Sequence, residues 1–183
     1  MTIAGKPLRE IHEVSNHKEI LRKLYQFVDN KQDISEQLIS DIHNLVLRNI
    51  DDENAGRYRK ITVGISGDDF VPTDPSNISQ ELQKLLSWYR DSKHSLHSVE
   101  LACQFHYRFV KIHPFIDGNG RTVRVLINLI LMQVGYPMII IPVVRRAEYI
   151  QSLHSTAGYP DFQQFFYSVV EENLKDYLRM IEG

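Results

Sequence analysis

The stretch HPFIDGNGRTVR, residues 113 to 124, gathers a histidine, an aspartate, two glycines around an asparagine and two arginines into twelve residues. An apolar run with helical spacing follows, so Gly118 to Gly120 reads as the turn that opens a helix. A glycine-rich turn lets backbone N–H groups point into one concavity, and the helix starting there adds the positive end of its dipole. Arg121 and Arg124 fall in the first turn, where cations are disfavoured unless an anion compensates, and their spacing of three puts them on one face. These features together describe a site for a polyphosphate. Asp117, just ahead of the turn, can hold a divalent cation against the same phosphates, because hard cations prefer oxygen ligands. His113 titrates near neutrality and can accept a proton.

The same letters have plainer readings. DGNG occurs inside calcium loops, but the first and twelfth loop positions would here be Phe115 and Leu126 rather than carboxylates. A P-loop would need Gly-Lys-Ser/Thr after the glycine turn. His113 alone reads as structural, like the other seven histidines, and a pair of arginines reads as a solvated face. Only their conjunction points to chemistry. Phe115 is an anchor for the loop under either reading.

A site of this kind must be carried by a scaffold, and 183 residues with 43% apolar content fit one globular domain with an ordinary core. Lys+Arg of 21 against Asp+Glu of 23 leaves a formal charge of −2, which argues against broad attraction to nucleic acid or an anionic membrane. The longest apolar run, Val123 to Val134, is interrupted by Arg124, Asn128 and Gln133 and falls short of the ~20 residues of a membrane span. The single Cys103 excludes an internal disulfide framework and a Cys-based zinc site; beside Ala102 and Phe105 it reads as core. The first residues lack a secretory signal, so a reducing cytoplasm is the expected compartment.

Helical periodicity dominates the chain. Ile20, Leu21, Leu24, Phe27 and Val28 mark a helix over about 16–28, and Ser35 caps a second with Leu38, Ile39, Ile42, Leu45 and Val46 inside. Ile61, Val63 and Ile65 alternate with polar residues before the turn SGDDF, which predicts a β-hairpin over 57–75. Further helices are expected after Pro75, before the 113–124 motif, from Gly120 to Val134 with a stop at Gly135, and over 147–156 and 162–181. The fold class is therefore mainly α, with one hairpin projecting from a helical bundle.

The 113–124 stretch also resembles the signature of the Fic (filamentation induced by cAMP) family: histidine, any residue, phenylalanine, any residue, Asp/Glu, Gly-Asn-Gly-Arg, two residues, Arg. The resemblance extends outwards. GRYRKITVGISGDDFVPTDP is similar to the family's hairpin flap, and GKPLREIHEVSNHKEIL to the entry segment of members with an N-terminal inhibitory helix. The implied organisation is a single Fic domain over 1–183, with N-terminal helices over 1–56, the flap over 57–75 and a catalytic helical core over 76–183.

The resemblance implies transfer of AMP from ATP to a Ser, Thr or Tyr hydroxyl of a target protein, with release of pyrophosphate. His113 would be the general base, and Asp117 the ligand of Mg²⁺ between the α- and β-phosphates. Gly118, Asn119 and Gly120 would form the anion hole, and Arg121 and Arg124 would neutralise the β- and γ-phosphates. Ser66, Gly67, Asp68 and Asp69 of the flap would align the target. Tyr149 falls where relatives place an aromatic beside adenine, and equally suits a core position. Relatives often carry an asparagine shortly after that helix. Thr156 or Ala157 stands there instead, which keeps open transfer of UMP or phosphocholine, or a non-catalytic nucleotide-binding interaction module. Neither nucleic acid nor a membrane is an expected partner.

In many members a helix with the pattern Ser/Thr, three residues, Glu, then Gly or Asn pairs its glutamate with the motif's last arginine. The chain starts after the place of that pattern, so any such segment, or an antitoxin carrying it, would come from outside. SVVEEN, Ser168 to Asn173, matches formally, but Val169, Val170 and Leu174 continue a core helix. Glu172 is expected to face solvent, and the chain to lack autoinhibition. The terminal Glu182-Gly183 pair has Leu178 where Ser or Thr is needed.

Overall fold

In the computed structural model, residues 2–3, 6–64 and 71–182 are described. Seven helices make up most of them: α1 Leu8–Asp29, α2 Glu36–Leu47, α3 Ile78–Ser92, α4 Ser98–Ile112, α5 Asn119–Met132, α6 Arg146–His154 and α7 Tyr159–Glu182. Two short strands, β1 Thr2–Ile3 and β2 Lys6–Pro7, pair antiparallel ahead of α1. Among the described residues no helix is long and apolar enough to cross a membrane.

The helix ends follow from local chemistry. Ser35 Oγ accepts the Leu38 N–H at 3.1 Å and caps α2. At the far end of α5 the Tyr136 N–H returns to the Leu131 carbonyl and the Gly135 N–H to Met132. Gly135 takes φ +90° there, a Schellman stop that Pro137 reinforces.

Helices α4 and α5 form the centre. Helix α4 packs on α3, α5 and α7, while α5 also meets α1 and α2. Phe105, Phe109, Phe115, Phe162 and Phe166 are fully enclosed, and burying a side chain of this size contributes roughly 1.5–3 kcal/mol. Cys103 is buried among them, and burial pushes its thiol up to about 12, as suits a core residue. The site motif thus connects the two best-packed helices.

Two expectations change. Helix α1 starts at Leu8 rather than near Asn16, and Val14 in its early turns is exposed, so apolar periodicity could not mark that end. The predicted hairpin over 57–75 is not supported: residues 57–64 and 71–74 carry no strand, and the tip, with Ser66 to Asp69, lies outside the described residues. On the described flanks of that tip, Ile61 is 60% and Val71 73% exposed, so neither finds a face to bury. The carbonyls of Ile61 and Thr73 accept from Arg59 instead of from a facing strand.

Candidate active site

The loop between α4 and α5 brings the motif together. Helix α4 ends at His113, which adopts the left-handed conformation (φ 50°, ψ 60°) while its N–H returns to the Phe109 carbonyl. Gly118 turns the chain into α5 with φ +79° and offers no side chain to cap it. The N-terminal N–H groups of α5 therefore have no capping side chain, as an anion site requires.

His113 Nδ1 is buried and makes no hydrogen bond of ordinary geometry. Burial, then the Arg59 guanidinium, lower the ring's pKa to about 4, against the opposing pull of the Val110 carbonyl and Asp117. The ring is neutral at physiological pH, the state that can take up a proton.

Asp117 is half-exposed and crowded by cations. Its Oδ2 accepts from Arg9 Nη2 at 2.6 Å and Arg121 Nη2 at 3.1 Å, and its Oδ1 from the Gly118 N–H at 2.6 Å. Burial raises its pKa, but Gly118, Arg121 and Arg9 outweigh that and hold it below the usual carboxylate range. Glu13 closes a ring of alternating charge, pairing with Arg9 at 3.3 Å and Arg121 at 3.1 Å. Among the described residues no trio of His, Cys, Asp or Glu converges. A divalent ion at Asp117 would take its other oxygens from phosphates and water, as Mg²⁺ commonly does. The residues fit such an ion, because the Asp117 oxygen that would hold it already carries a cationic stand-in, Arg9.

The two arginines differ. Arg121 is engaged by Asp117 and Glu13. Arg124 pairs with no carboxylate among the described residues; burial, then the neighbouring charges of Arg121 and Arg146, lower its pKa despite the pull of Tyr149. Gly120 lies beneath it, where an added Cβ would stand 3.6 Å from Arg124 Nη1. Glu172 pairs with Arg145 at 2.8 Å, and its side chain is 55% exposed, so the SVVEEN segment leaves Arg124 alone.

Three residues brace the loop, and of these only Asn119 was singled out in the sequence. Asn119 is 4% exposed; its Oδ1 accepts the Phe115 N–H at 3.0 Å and its Nδ2 donates to the Phe115 carbonyl at 2.8 Å. Its side chain therefore staples the loop, and only its backbone can face an anion. Arg59, 3% exposed, donates to the carbonyls of His113 (2.8 Å), Ile61 (2.9 Å) and Thr73. His43 of α2 contacts the Asp117 carbonyl at 2.9 Å. The sequence signal for His43 was its place in the apolar stripe of α2, between Ile42 and Val46.

At the other end, Tyr149 of α6 is half-buried against Phe162 and Phe165. Its hydroxyl lies 2.9 Å from His106 Nε2. Burial pushes the Tyr149 hydroxyl up to about 12 and the fully buried His106 down to about 3.

Comparison with known proteins agrees with this geometry. The Fic/DOC family model matches residues 33–131. Protein adenylyltransferase fic-1 of Caenorhabditis elegans is 40% identical over 168 residues, which are 90% of this chain and 32% of that protein. Protein adenylyltransferase Fic of Drosophila grimshawi is 33% identical over 97% of this chain and 37% of its own length. A solved fragment of Fic-1 from C. elegans superposes with a TM-score of 0.86 at 34% identity, covering 100% of this chain and 55% of that one. The chain thus spans about a third of the length of the curated relatives it matches. With the family model matched across the loop and both flanking helices, and the fold shared over the whole length, this chain belongs to the Fic/DOC family.

Proposed function

We propose that the chain is the catalytic unit of a protein adenylyltransferase, moving AMP from ATP to a hydroxyl of a target protein. One observation carries this reading: a neutral histidine at the end of α4 stands before an uncapped helix N-terminus that also presents Arg124. With Nδ1 buried, Nε2 is the ring nitrogen left to receive the proton of the target's Ser, Thr or Tyr hydroxyl. The hydroxyl oxygen forms a bond to the α-phosphorus as the bond to the β-phosphate bridging oxygen breaks, and pyrophosphate leaves with that electron pair. The N–H groups of Asn119 and Gly120, with Arg121 and Arg124, stabilise the charge on the phosphates; such positioning and electrostatics carry most of the rate in phosphate chemistry. Mg²⁺ held by Asp117 supplies further neutralisation when bound.

Arg9 must leave Asp117 for that ion to enter. An exposed ion pair of this kind is worth about 0–1 kcal/mol, so the exchange is easy. A carboxylate from another segment or protein that reached Arg124 would compete with the γ-phosphate. Arg59 bonds the His113 carbonyl, and the segment over 57–75 to which it belongs is the proposed dock for the target. A cytoplasmic setting belongs to the same proposal.

The test is transfer of label to protein from ATP carrying it at the α-phosphate, run beside UTP labelled in the same position. Protein label from ATP alone supports the reading. Label from UTP alone would replace it with uridylyl transfer, and binding without transfer would leave a nucleotide-binding module.

A further inference from the structure

Helix α2 carries a histidine that the chemistry above does not use. His43 is fully buried. Its Nδ1 accepts the Gly56 N–H at 3.0 Å, so the ring proton sits on Nε2, which donates to the Asp117 carbonyl at 2.9 Å. The ring lies flat on Phe115, with centroids 3.5 Å apart and 4° between planes. It also crowds Gly118, where an added Cβ would stand 3.1 Å from His43 Nε2 and 3.0 Å from Val46 Cγ1. One side chain thus touches Phe115, Asp117 and Gly118.

The peptide between Asp117 and Gly118 turns this packing into a device. In a trans peptide the C=O and the N–H point to opposite sides. His43 holds the carbonyl inward, so the Gly118 N–H faces the other way, where it meets Asp117 Oδ1 at 2.6 Å. The bonds form a chain from Gly56 N–H through the imidazole and the 117–118 peptide to the carboxylate, and bonds in such a chain polarise one another. Gly56 is itself fixed to α2, because Ser40 Oγ donates to its carbonyl. Core filling would need the ring's volume but neither of its nitrogens.

We propose that His43 is a positioning residue that sets the direction of the Asp117 carboxylate, and hence how the site holds a metal-bound nucleotide. This rests on the reading of the site given above. Outer partners of metal-binding carboxylates and histidines typically change metal affinity 10- to 100-fold when removed.

The test compares His43→Phe, which keeps a flat ring but loses both hydrogen bonds, with His43→Gln, which keeps a donor. Leu47→Ala, fully buried on the same helix but with a side chain that makes no hydrogen bond to the loop, serves as the stability control. Calorimetry gives the affinity for ATP with Mg²⁺ and for ATP with a chelator, and hydrogen exchange reports the Gly118 N–H. The expected result for His43→Phe is a loss of about tenfold in the ratio of the two affinities, with faster exchange at Gly118. His43→Gln should recover part of both, and Leu47→Ala should lower Tm with neither effect. The proposal is overturned if His43→Phe matches the wild type, or the Leu47→Ala control, in both readouts; if that variant does not fold, the same comparison is made on His43→Gln. Should the wild type bind no Mg·ATP, the nucleotide reading fails, and Gly118 exchange alone decides the role of His43.

Discussion

The 113–124 loop, the proposed phosphate site, and the surroundings of Tyr149, the proposed nucleoside site, are built differently. The 113–124 loop is bound on every side: Asn119 closes it on itself, and Arg59 holds the His113 carbonyl and His43 that of Asp117. At the other end, Tyr149 rests on aromatic neighbours and spends its hydroxyl on His106, while Val143 and Val144, just before α6, are 87% and 91% exposed. Rigid backbone donors suit a group as invariant as a phosphate chain. Side-chain packing around Tyr149 can vary without disturbing those donors.

The largest expected effect falls at the loop. His113→Ala should lower transfer of labelled AMP by about 10²–10⁴-fold with ATP binding nearly unchanged, measured by label transfer and calorimetry. Undiminished transfer would remove His113 as the base and break the contrast at its strongest point.

Acid should act on both ends. His43, His106 and His113 have pKa values lowered to about 4, 3 and 4, in each case chiefly by burial. The unfolded chain binds protons at these positions near pH 6.5 and the folded chain does not, so stability rises with pH across that interval. It should be complete above about pH 6.5 and fall, by several kcal/mol in sum on an order-of-magnitude scale, as pH drops toward the folded values. Tm measured from pH 7.5 to 4 checks this, and a flat profile would show that the rings are not held neutral.

Smaller effects separate the ends. Gly118→Ala places a Cβ against Val46 and His43 at φ +79°, and should cost about 1–3 kcal/mol together with ATP affinity. Tyr149→Phe removes only the bond to His106 and should cost about 1 kcal/mol, with AMP and ATP affinities changing in equal proportion because no phosphate contact is lost. A selective loss of ATP binding there would erase the distinction. Arg9→Ala, opening an exposed ion pair, should lower Tm by less than about 1 kcal/mol's worth while reducing the Mg²⁺ concentration needed for half-maximal ATP binding. An increased requirement would make Arg9 a supporting residue rather than a competitor.

The sequence by itself determined the local parts: the helices with strong apolar periodicity, the Ser35 cap, the Gly135 stop and the motif with its turn. Each depends on residues within a few positions of one another, so spacing alone specifies it. The start of α1 escaped because Arg9 and Glu13 are ordered by charges more than a hundred residues away in Asp117 and Arg121. The strand pattern of Ile61 and Val63 misled because alternation predicts a strand only where a sheet face awaits it, and Arg59 had taken the carbonyls on either side. Only the tertiary structure could decide that Asn119 faces inward, that Tyr149 pairs with His106, and that His43 rather than another of eight histidines touches the loop. Such contacts depend on which helix packs against which, and that arrangement is set by the whole core rather than by any short stretch of chain.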